Sequence, residues 1–389
     1  MKVTQIAEIL NSIYTELTGK DGIVKEDLSN IVDTGKEVLD ANNVDNYVKK
    51  LVDRIGKVVF VDRKYSGAVP SIVRDAWEYG SVMQKIDVET PAAVDDNRWK
   101  LVDGESYPTD VFHAPKVTSR FYNSKNSFSI EMSFLTDQLK ESFISAAHMN
   151  AFLSAILTAI ENSMTIKLDS MVSRALASMI ADTFHSAFAD GTGYANAGNV
   201  KCVNLLKLYN TKFGTELTKD KALISPEFIR FASFMVGVYA DRMTNVSTLF
   251  NIGGRERFTA REDLQIVALS DFQKSAAVYL YSDSIHDNYV KLPEMQTVPY
   301  WQGSGTTYDF NTISGVNVVS GNGNTFDGIT AGVNVLAVMF DKNAVGLSNL
   351  ERKTTSAYNA NGDFYNNYYK GACSWFTDAN ENFVVFYIA

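Results

Sequence analysis

The feature that most constrains this fold is a long stretch of chain without a helix-breaking residue. Between Lys116 and Asp190 there is neither Gly nor Pro. From about Ser145 to Phe188 apolar residues recur at helical spacing, so the pattern predicts one helix of about 40 residues. At about 1.5 Å per residue such a helix is about 60 Å long, which exceeds what one small domain buries on all sides. We therefore expect its exposed flank to be covered by another element or by another subunit.

The apolar stripe of this helix predicts which side chains are buried. Ile156 and Leu168 lie on the stripe, whereas Asn162 and Ser170 fall beside it. Part of the helix also mimics a membrane span, because the 19 residues from Ser142 to Ile160 carry no acidic or basic side chain. This run contains polar residues, and its helical pattern continues past Ile160 through charged positions. A long buried helix is therefore the better interpretation, and we predict no membrane partner.

Composition limits the classes of protein to which the chain can belong. Its 389 residues are 46% hydrophobic, which predicts a packed protein of two or three domains at roughly 100–200 residues each. The 36 basic against 45 acidic residues give a net charge of −9, which argues against broad binding of nucleic acid. Only Cys202 and Cys373 occur, so a disulfide framework is excluded. The first ten residues lack an export signal, which predicts a cytoplasmic protein.

The N-terminal third combines short amphipathic pieces with two segments of opposite charge. Residues 1 to about 57 predict short helices that need a partner surface. From Lys49 to Arg74 there are seven basic and two acidic residues, which indicates either a solvated face or a contact with nucleic acid or a scaffold. From Asp87 to Lys116 there are seven acids, three bases and three prolines, which predicts an extended excursion. The alternation from Val117 to Phe134 predicts a strand pair that returns from it.

The second half of the chain predicts a mixed α/β arrangement that closes with a buried strand. Phe383–Ile388 is apolar throughout, which is typical of a strand buried on both faces. Helices are predicted at Val203–Tyr209 and at Pro226–Met243, the second with Ser225 as N-cap. The predicted strands before the closing one are Gln265–Leu269, Ala276–Tyr281, Gly315–Val319 and Asn334–Phe340.

A search for catalytic and binding motifs finds no support for an enzyme. The chain contains no GxGxxG, GxxxxGK[ST], HExxH, CxxC or GxSxG sequence. Two segments that begin at Asp341 and Asp378 resemble calcium loops but lack the required glycine or glutamate, so they predict ordinary Asx turns. Asp95 and Asp96 are predicted to be solvated loop charge rather than a general acid and base. Trp301 is predicted to be a loop anchor in a local core rather than a stacking platform.

The four histidines do not form a predicted site either. They occur singly, and metal sites and acid–base dyads need several such groups to converge. The sequence therefore predicts no catalytic, cofactor-binding or metal-binding residues, and no cofactor. The four positions are His113, His148, His185 and His286.

The order of these parts and the sequences of five segments resemble those of a known protein family. The segments are Val58–Arg63, Pro70–Ser81, Ser225–Ala232, Val298–Gly305 and Asn380–Phe386. The chain resembles major capsid proteins of tailed bacteriophages with the Hong Kong 97-type fold over nearly its whole length. It looks closest to those of phages of Gram-positive, Clostridia-type hosts.

The resemblance implies an α+β fold and a domain map. It implies an N-terminal arm at residues 1–85, an E-loop at 86–134 and a P domain with a spine helix at 135–200. It further implies an A domain at 201–350 and a return to the P domain at 351–389, where the closing strand would pair beside the spine helix.

The function implied by the resemblance is that of a structural protein, not an enzyme. Such subunits form the hexamers and pentamers of an icosahedral shell that encloses double-stranded DNA without sequence specificity, with a portal and a scaffolding protein as expected partners. The expected location is the virion capsid, after assembly in the host cytoplasm. Some family members join neighbouring subunits by an isopeptide bond. Lys100 and Lys116 are the loop candidates here, but no partner is identified, so this chemistry is not carried over.

Two other classes remain open at this point. An encapsulin-like nanocompartment would share the fold and the self-assembly, but would enclose cargo protein instead of a genome. The long N-terminal arm and the large size weigh against it. An enzyme is the second alternative, and the absence of catalytic motifs disfavours it.

Overall fold

The structure is a computed structural model. It describes residues 7, 10–15, 24–25, 29–30, 69–74, 83–91, 93, 95, 100–106, 112–122, 125–135, 146–188, 193–196, 199–281, 295–299, 301, 316–328 and 332–389. The predicted basic stretch from Lys49 to Arg74 lies outside these residues except for its last six. Of the predicted N-terminal pieces, residues 10–15 are helical, with Leu10 and Ile13 fully buried.

From Val73 onward, the described residues form five helices and thirteen strands. The helices are α1 (Ala146–Ala187), α2 (Leu205–Phe213), α3 (Lys219–Ala222), α4 (Pro226–Met243) and α5 (Ser270–Tyr281). The strands of the first half are β1 (Val73–Arg74), β2 (Met83–Val88), β3 (Val117–Tyr122), β4 (Lys125–Leu135) and β5 (Cys202–Asn204). The remaining strands are β6 (Leu264–Leu269), β7 (Gln296–Val298), β8 (Asn317–Val319), β9 (Thr325–Asp327), β10 (Asn334–Asp341), β11 (Val345–Asn359), β12 (Phe364–Thr377) and β13 (Phe383–Ile388).

The predicted long helix is confirmed as α1, which has 42 residues. Ile156 and Leu168 are 7% and 2% exposed, and Asn162 is exposed, as the stripe predicts. Ser170 is only 4% exposed, so its placement beside the stripe is wrong. Met171 and Val172 next to it are buried as well, so the buried face of the helix is wider here than the stripe predicts. Among the described residues, no helix combines the length and the apolarity needed to cross a bilayer.

Helix α1 packs against one face of a four-stranded sheet with the order β1-β11-β12-β4. In β4, Phe128, Ile130 and Phe134 point to the core, and the Phe134 ring lies 6.0 Å from that of Phe152 on α1. The intervening side chains, which include Ser129, are exposed. This alternation leaves the second face of the sheet open to solvent around Ser129 and Lys370, whereas residues 371–376 of β12 are buried on both faces.

The second sheet has five strands in the order β5-β13-β10-β6-β7, and β13 lies in its interior. Strand β13 pairs antiparallel with β10 and parallel with β5, and all six of its residues are buried. A strand buried on both faces is therefore confirmed. The prediction that it pairs within the P domain is wrong, because both of its partners, β5 and β10, lie at 201–350, the region predicted as the A domain. The interior of the five-stranded sheet covers both faces of this entirely apolar strand, and its Tyr387 still contacts the long helix.

Three local predictions are corrected by the structure. Ala276–Tyr281 is the end of helix α5 rather than a strand, because Phe272 and Ala276 are buried one helical turn apart. The helix predicted at Val203–Tyr209 begins at Leu205, after β5, and Asn204 caps it by accepting a hydrogen bond from the Lys207 N–H (3.1 Å). The strands predicted between Val117 and Phe134 do form, as β3 and β4. They do not pair with each other, because β3 pairs with β2 and β4 with β12.

Other predictions are confirmed. Helix α4 has the predicted bounds, with Ser225 accepting from the Phe228 N–H. Trp301 is 3% exposed and its indole N–H donates to the Val335 carbonyl (2.8 Å), so it is a core anchor. Near the end of α1, Phe184 stacks on Phe326 of β9 at 4.4 Å and Tyr387 of β13 packs against it at 5.0 Å. This aromatic contact joins α1 to the five-stranded sheet.

Candidate functional site

Strands β2 and β3 form a two-stranded antiparallel ribbon at the root of the acidic excursion. Their register runs from Met83 opposite Tyr122 to Val88 opposite Val117, and the Glu89 N–H extends it by donating to the Lys116 carbonyl (2.9 Å). We call β2 and β3 the ribbon. A two-stranded sheet is at best marginally stable in water by itself, so contacts with the rest of the chain must hold the ribbon in place.

One face of the ribbon is held by ion pairs to the turn before β13. Lys85 and Arg120 are directly opposite each other on this face. The Lys85 ammonium lies 2.5 Å from Asp378 Oδ2 and 2.6 Å from Glu381 Oε1. The Arg120 guanidinium lies 3.3 Å from Asp378 Oδ1. Both strands of the ribbon therefore bind the same turn.

A second set of ion pairs joins this face to the loop after α4. Asp87 accepts from Arg257, and Glu89 accepts from Arg255. Arg257 Nε also lies 3.8 Å from Glu381 Oε2, which connects the two sets. We call these eight residues the anchor cluster; they are Lys85, Asp87, Glu89, Arg120, Arg255, Arg257, Asp378 and Glu381. The cluster contains four cations and four carboxylates, so its charges balance.

The turn that bears the carboxylates is built by its own side chains. The Asn380 N–H donates to Asp378 Oδ1 (3.0 Å), and at the other calcium-like segment the Asn343 N–H donates to Asp341 Oδ1 (2.8 Å). The two predicted Asx turns are thus confirmed. A Cβ at Gly253 would lie 2.1 Å from Asn380 Oδ1, so only glycine lets the neighbouring loop approach this turn.

Burial makes the pairing in this cluster energetically important. The side chains of Asp378 and Glu381 are 2% and 11% exposed, and a buried carboxylate without a partner is strongly destabilising. Burial raises the pKa of the nearby Tyr122 phenol, and the Asp378 charge raises it further, against the opposing effect of Arg120. For Arg257, burial lowers the pKa, but hydrogen bonding to Asp87 and the surrounding carboxylates raise it more.

The opposite face of the ribbon is exposed, and four of its six side chains are apolar; the other two, Gln84 and Ser119, hydrogen-bond to each other. The exposed fractions are 63% for Ile86, 51% for Val88, 52% for Val117 and 65% for Phe121. The ribbon therefore turns its charged face toward its own chain and its apolar face toward solvent. Contiguous exposed apolar surface is typical of a site that another molecule covers.

The anchor cluster was not predicted from the sequence, although a signal for it exists. Lys85, Asp87 and Glu89 are charged at every second position, with Ile86 and Val88 between them. This period of two indicates a strand with one charged face. The composition of this segment predicts a solvated loop instead. The arginines that pair with Asp87 and Glu89 lie more than 150 positions away in sequence, so the ion pairs cannot be recognised from the local pattern.

The remaining sequence candidates do not converge on a site. The two loop lysines Lys100 and Lys116 are exposed, the second with its ammonium 3.7 Å from Glu89. Asp95 is exposed, and Asp96 lies outside the described residues. Cys202 and Cys373 are free and buried.

The histidines are equally dispersed. Three of them, His113, His148 and His185, are exposed, and His286 lies outside the described residues. Across the part of the chain that is described, no three His, Cys, Asp or Glu side chains are grouped as metal ligands.

Removing Asp378 is predicted to destabilise the subunit. Asp378→Ala leaves Lys85 and Arg120 without their shared carboxylate and removes the Asx turn, so we expect a loss of about 3–5 kcal/mol in the free energy of unfolding. The control is Asp241→Ala, which breaks the exposed pair with Arg261 and should cost less than about 1 kcal/mol. Urea denaturation measures both. Equal losses in the two variants would mean that the anchor cluster does not hold the ribbon.

The comparisons with known proteins agree on one group. The family described as "Phi29-like phage major capsid protein" matches residues 6–387. The major capsid protein of Bacillus phage GA-1 is 26% identical over 165 residues, which are 41% of this chain and 34% of that protein. The matched part thus spans about a third of the length of that relative.

Solved structures give similarity at low sequence identity. A chain in the structure of the head fiber and inner core protein gp22 of native bacteriophage P68 matches with a TM-score of 0.50 and 9% identity, covering 84% of this chain and 86% of that one. The capsid structure of Staphylococcus phage Andhra contains a chain that matches with a TM-score of 0.47 and 10% identity, over 82% and 83% of the two chains.

Proposed function

Because the chain belongs to the family of Phi29-like phage major capsid proteins, we propose that its copies assemble through the ribbon into the hexamers and pentamers of an icosahedral shell. The chain is a structural capsid protein with the Hong Kong 97-type α+β fold, and not an enzyme. The encapsulin-like alternative is not favoured, because the matching family consists of phage capsid proteins.

The observation that carries this proposal is the orientation of the ribbon. A monomer that functioned alone would gain by turning Ile86 and Phe121 inward, but the structure instead fixes Lys85 and Arg120 inward through Asp378. The apolar face therefore stays on the solvent side of the subunit, where a second copy of the chain covers it. A contact between two different surfaces of identical subunits generates a ring when the rotation between neighbours closes, which is the geometry of a capsomer.

The domain map belongs to this proposal. We assign the arm to residues 1–85, the E-loop to 86–134, the P domain to 135–200 together with 351–389, and the A domain to 201–350. Most of the ribbon forms the base of the E-loop in this assignment, and β2 begins three residues earlier, in the arm. Strand β13 joins the assigned regions, because it follows β12 of the four-stranded sheet and pairs inside the five-stranded one.

The enclosed genome and the accessory proteins are further parts of the proposal. With a net charge of −9, the subunit should hold double-stranded DNA with few direct contacts and without base specificity. A scaffolding protein and a portal are the expected partners, and assembly is expected to take place in the host cytoplasm. The resulting particle would be the capsid of the virion.

Particle assembly followed by nuclease treatment tests the function. We expect the protein, produced with and without its scaffolding protein, to sediment as closed shells. Particles recovered from infected cells should contain DNA that resists nuclease until the shell is disrupted. Protein that stays monomeric under all these conditions would contradict the capsid function. Shells that enclose protein cargo and no nucleic acid would instead support a nanocompartment.

A further inference from the structure

Two lysines face each other on the open side of the four-stranded sheet. Lys353 of β11 is directly opposite Lys370 of β12, and both side chains are exposed. Like charges that are directly opposite across two strands destabilise their pairing. Neither ammonium forms an ion pair with a described carboxylate; Lys370 only approaches the Tyr368 ring, at 5.6 Å. Glu131 lies on the same face, opposite Tyr368, and forms an ion pair with neither lysine.

The surroundings of the two lysines form a recess. A cavity of about 380 Å³ is lined by both lysines together with Ser127, Phe128, Ser129 and Ala372. Ser129 is directly opposite Lys370 on the neighbouring strand, so a hydroxyl continues the row of ammonium groups. Hydroxyl and ammonium groups donate hydrogen bonds to carboxylates, and the apolar atoms of the recess can cover short apolar side chains.

The acidic excursion contains a turn with the complementary character. The Glu105 N–H donates to the Val102 carbonyl (3.3 Å), and Gly104 has φ +86°, as at the third position of a type II turn. Asp103 and Glu105 flank this glycine, are exposed, and pair with no described cation of their own chain. Val102 is 61% exposed. The turn therefore presents two carboxylates beside an exposed apolar side chain.

This inference rests on the capsid function proposed above and deepens it. We propose that the turn Val102–Glu105 of one copy docks on the Lys353 and Lys370 pair of the neighbouring copy. Two carboxylates and two ammonium groups, none of which has an ion-pair partner among the described residues of its own chain, then meet, which removes the repulsion between the lysines. The two surfaces are different, so each copy donates a turn to one neighbour and receives a turn from another, which is the arrangement that a ring of subunits requires. This ionic contact between copies acts in addition to the contact made by the apolar face of the ribbon.

Coupling of carboxylates to amines in assembled shells detects the contact. Shells are formed from a mixture of unlabelled and ¹⁵N-labelled subunits, treated with a carbodiimide that joins a carboxylate to a touching amine, and analysed by mass spectrometry. We expect peptides that link Lys353 or Lys370 to Asp103 or Glu105, with one labelled and one unlabelled half. Shells that contain none of these links overturn the docking, but leave the capsid function intact. Absence of wild-type shells is instead a failure of the proposed function.

Charge reversal and rescue provide the second test. The double variant Lys353→Glu and Lys370→Glu should lower the shell yield roughly tenfold, because two attractions become repulsions. Adding Asp103→Lys and Glu105→Lys should restore the yield. The matched control, Lys207→Glu with Lys221→Glu, changes the charge equally at exposed positions of α2 and α3 and should leave the yield unchanged.

Two outcomes of this test overturn the proposal. One is a yield that the compensating changes do not restore. The other is a normal yield of lysine variant shells that bind duplex DNA more weakly than wild-type shells, which would identify the lysine pair as a nucleic-acid surface.

Discussion

A chain that ends at Glu381 is expected to be insoluble or degraded when it is produced, before any assembly takes place. The truncation removes β13, whose six residues are at most 1% exposed and which pairs with both β10 and β5. Each buried Val, Phe or Ile contributes roughly 1.5–3 kcal/mol relative to exposure. The summed loss is comparable to the total stability of a domain, which is about 5–15 kcal/mol.

The control for this truncation removes only the last residue. A chain that ends at Ile388 keeps every pair of β13 and should match the full chain in solubility and in melting temperature. Soluble expression followed by thermal denaturation measures both chains. A Glu381-terminated chain that melts at the temperature of the full chain would show that β13 is peripheral, and would contradict its interior position in the five-stranded sheet.

Replacing the excursion by a tight turn should abolish shell formation without unfolding the subunit. Glu89 and Lys116 are already paired across the ribbon, so residues 90–115 can be exchanged for Asn-Gly, which favours a two-residue hairpin turn. The anchor cluster and the ribbon remain complete in this variant. We expect a folded subunit that sediments as monomers or small oligomers, because the segment that reaches a neighbour is gone.

Two measurements make this second prediction decisive. Circular dichroism and thermal denaturation should match those of the full chain, because the exposed residues of the excursion, such as Leu101 and Phe112, contribute no core contacts. Sedimentation then reports assembly alone. If the shortened chain still forms closed shells of normal size, the excursion is not an assembly element.

Structural features that neighbouring residues determine are predicted from the sequence, whereas features that depend on distant residues are not. Helices α1 and α4 are predicted well because their signals are local: a long stripe without Gly or Pro in one, and Ser225 before Pro226 in the other. The segment Ala276–Tyr281 is misassigned because Ala, Val and Tyr in a short run fit a strand as well as a helix, and only the buried Phe272 one turn earlier resolves the choice.

Pairing partners are the part of the fold that the pattern leaves open. The six apolar residues of β13 require cover on both faces, but nothing in their order distinguishes β10 from β12 as a neighbour. The anchor cluster fails to appear for the same reason. Lys85 is separated from Asp378 by 293 positions, and both look like solvated charges until the chain is folded. The fold class, by contrast, is predicted by the family resemblance, which the order of parts carries together with the five matching segments.

Electron cryo-microscopy of the purified, assembled protein tests the central claim most directly, since it shows both the particle and the ribbon within it. We expect closed icosahedral shells in which the face with Ile86 and Phe121 lies against a neighbouring copy, while Lys85 and Arg120 remain paired with Asp378 of their own chain. Fields that contain only dispersed monomers, or shells in which that apolar face remains exposed to solvent, would contradict the account.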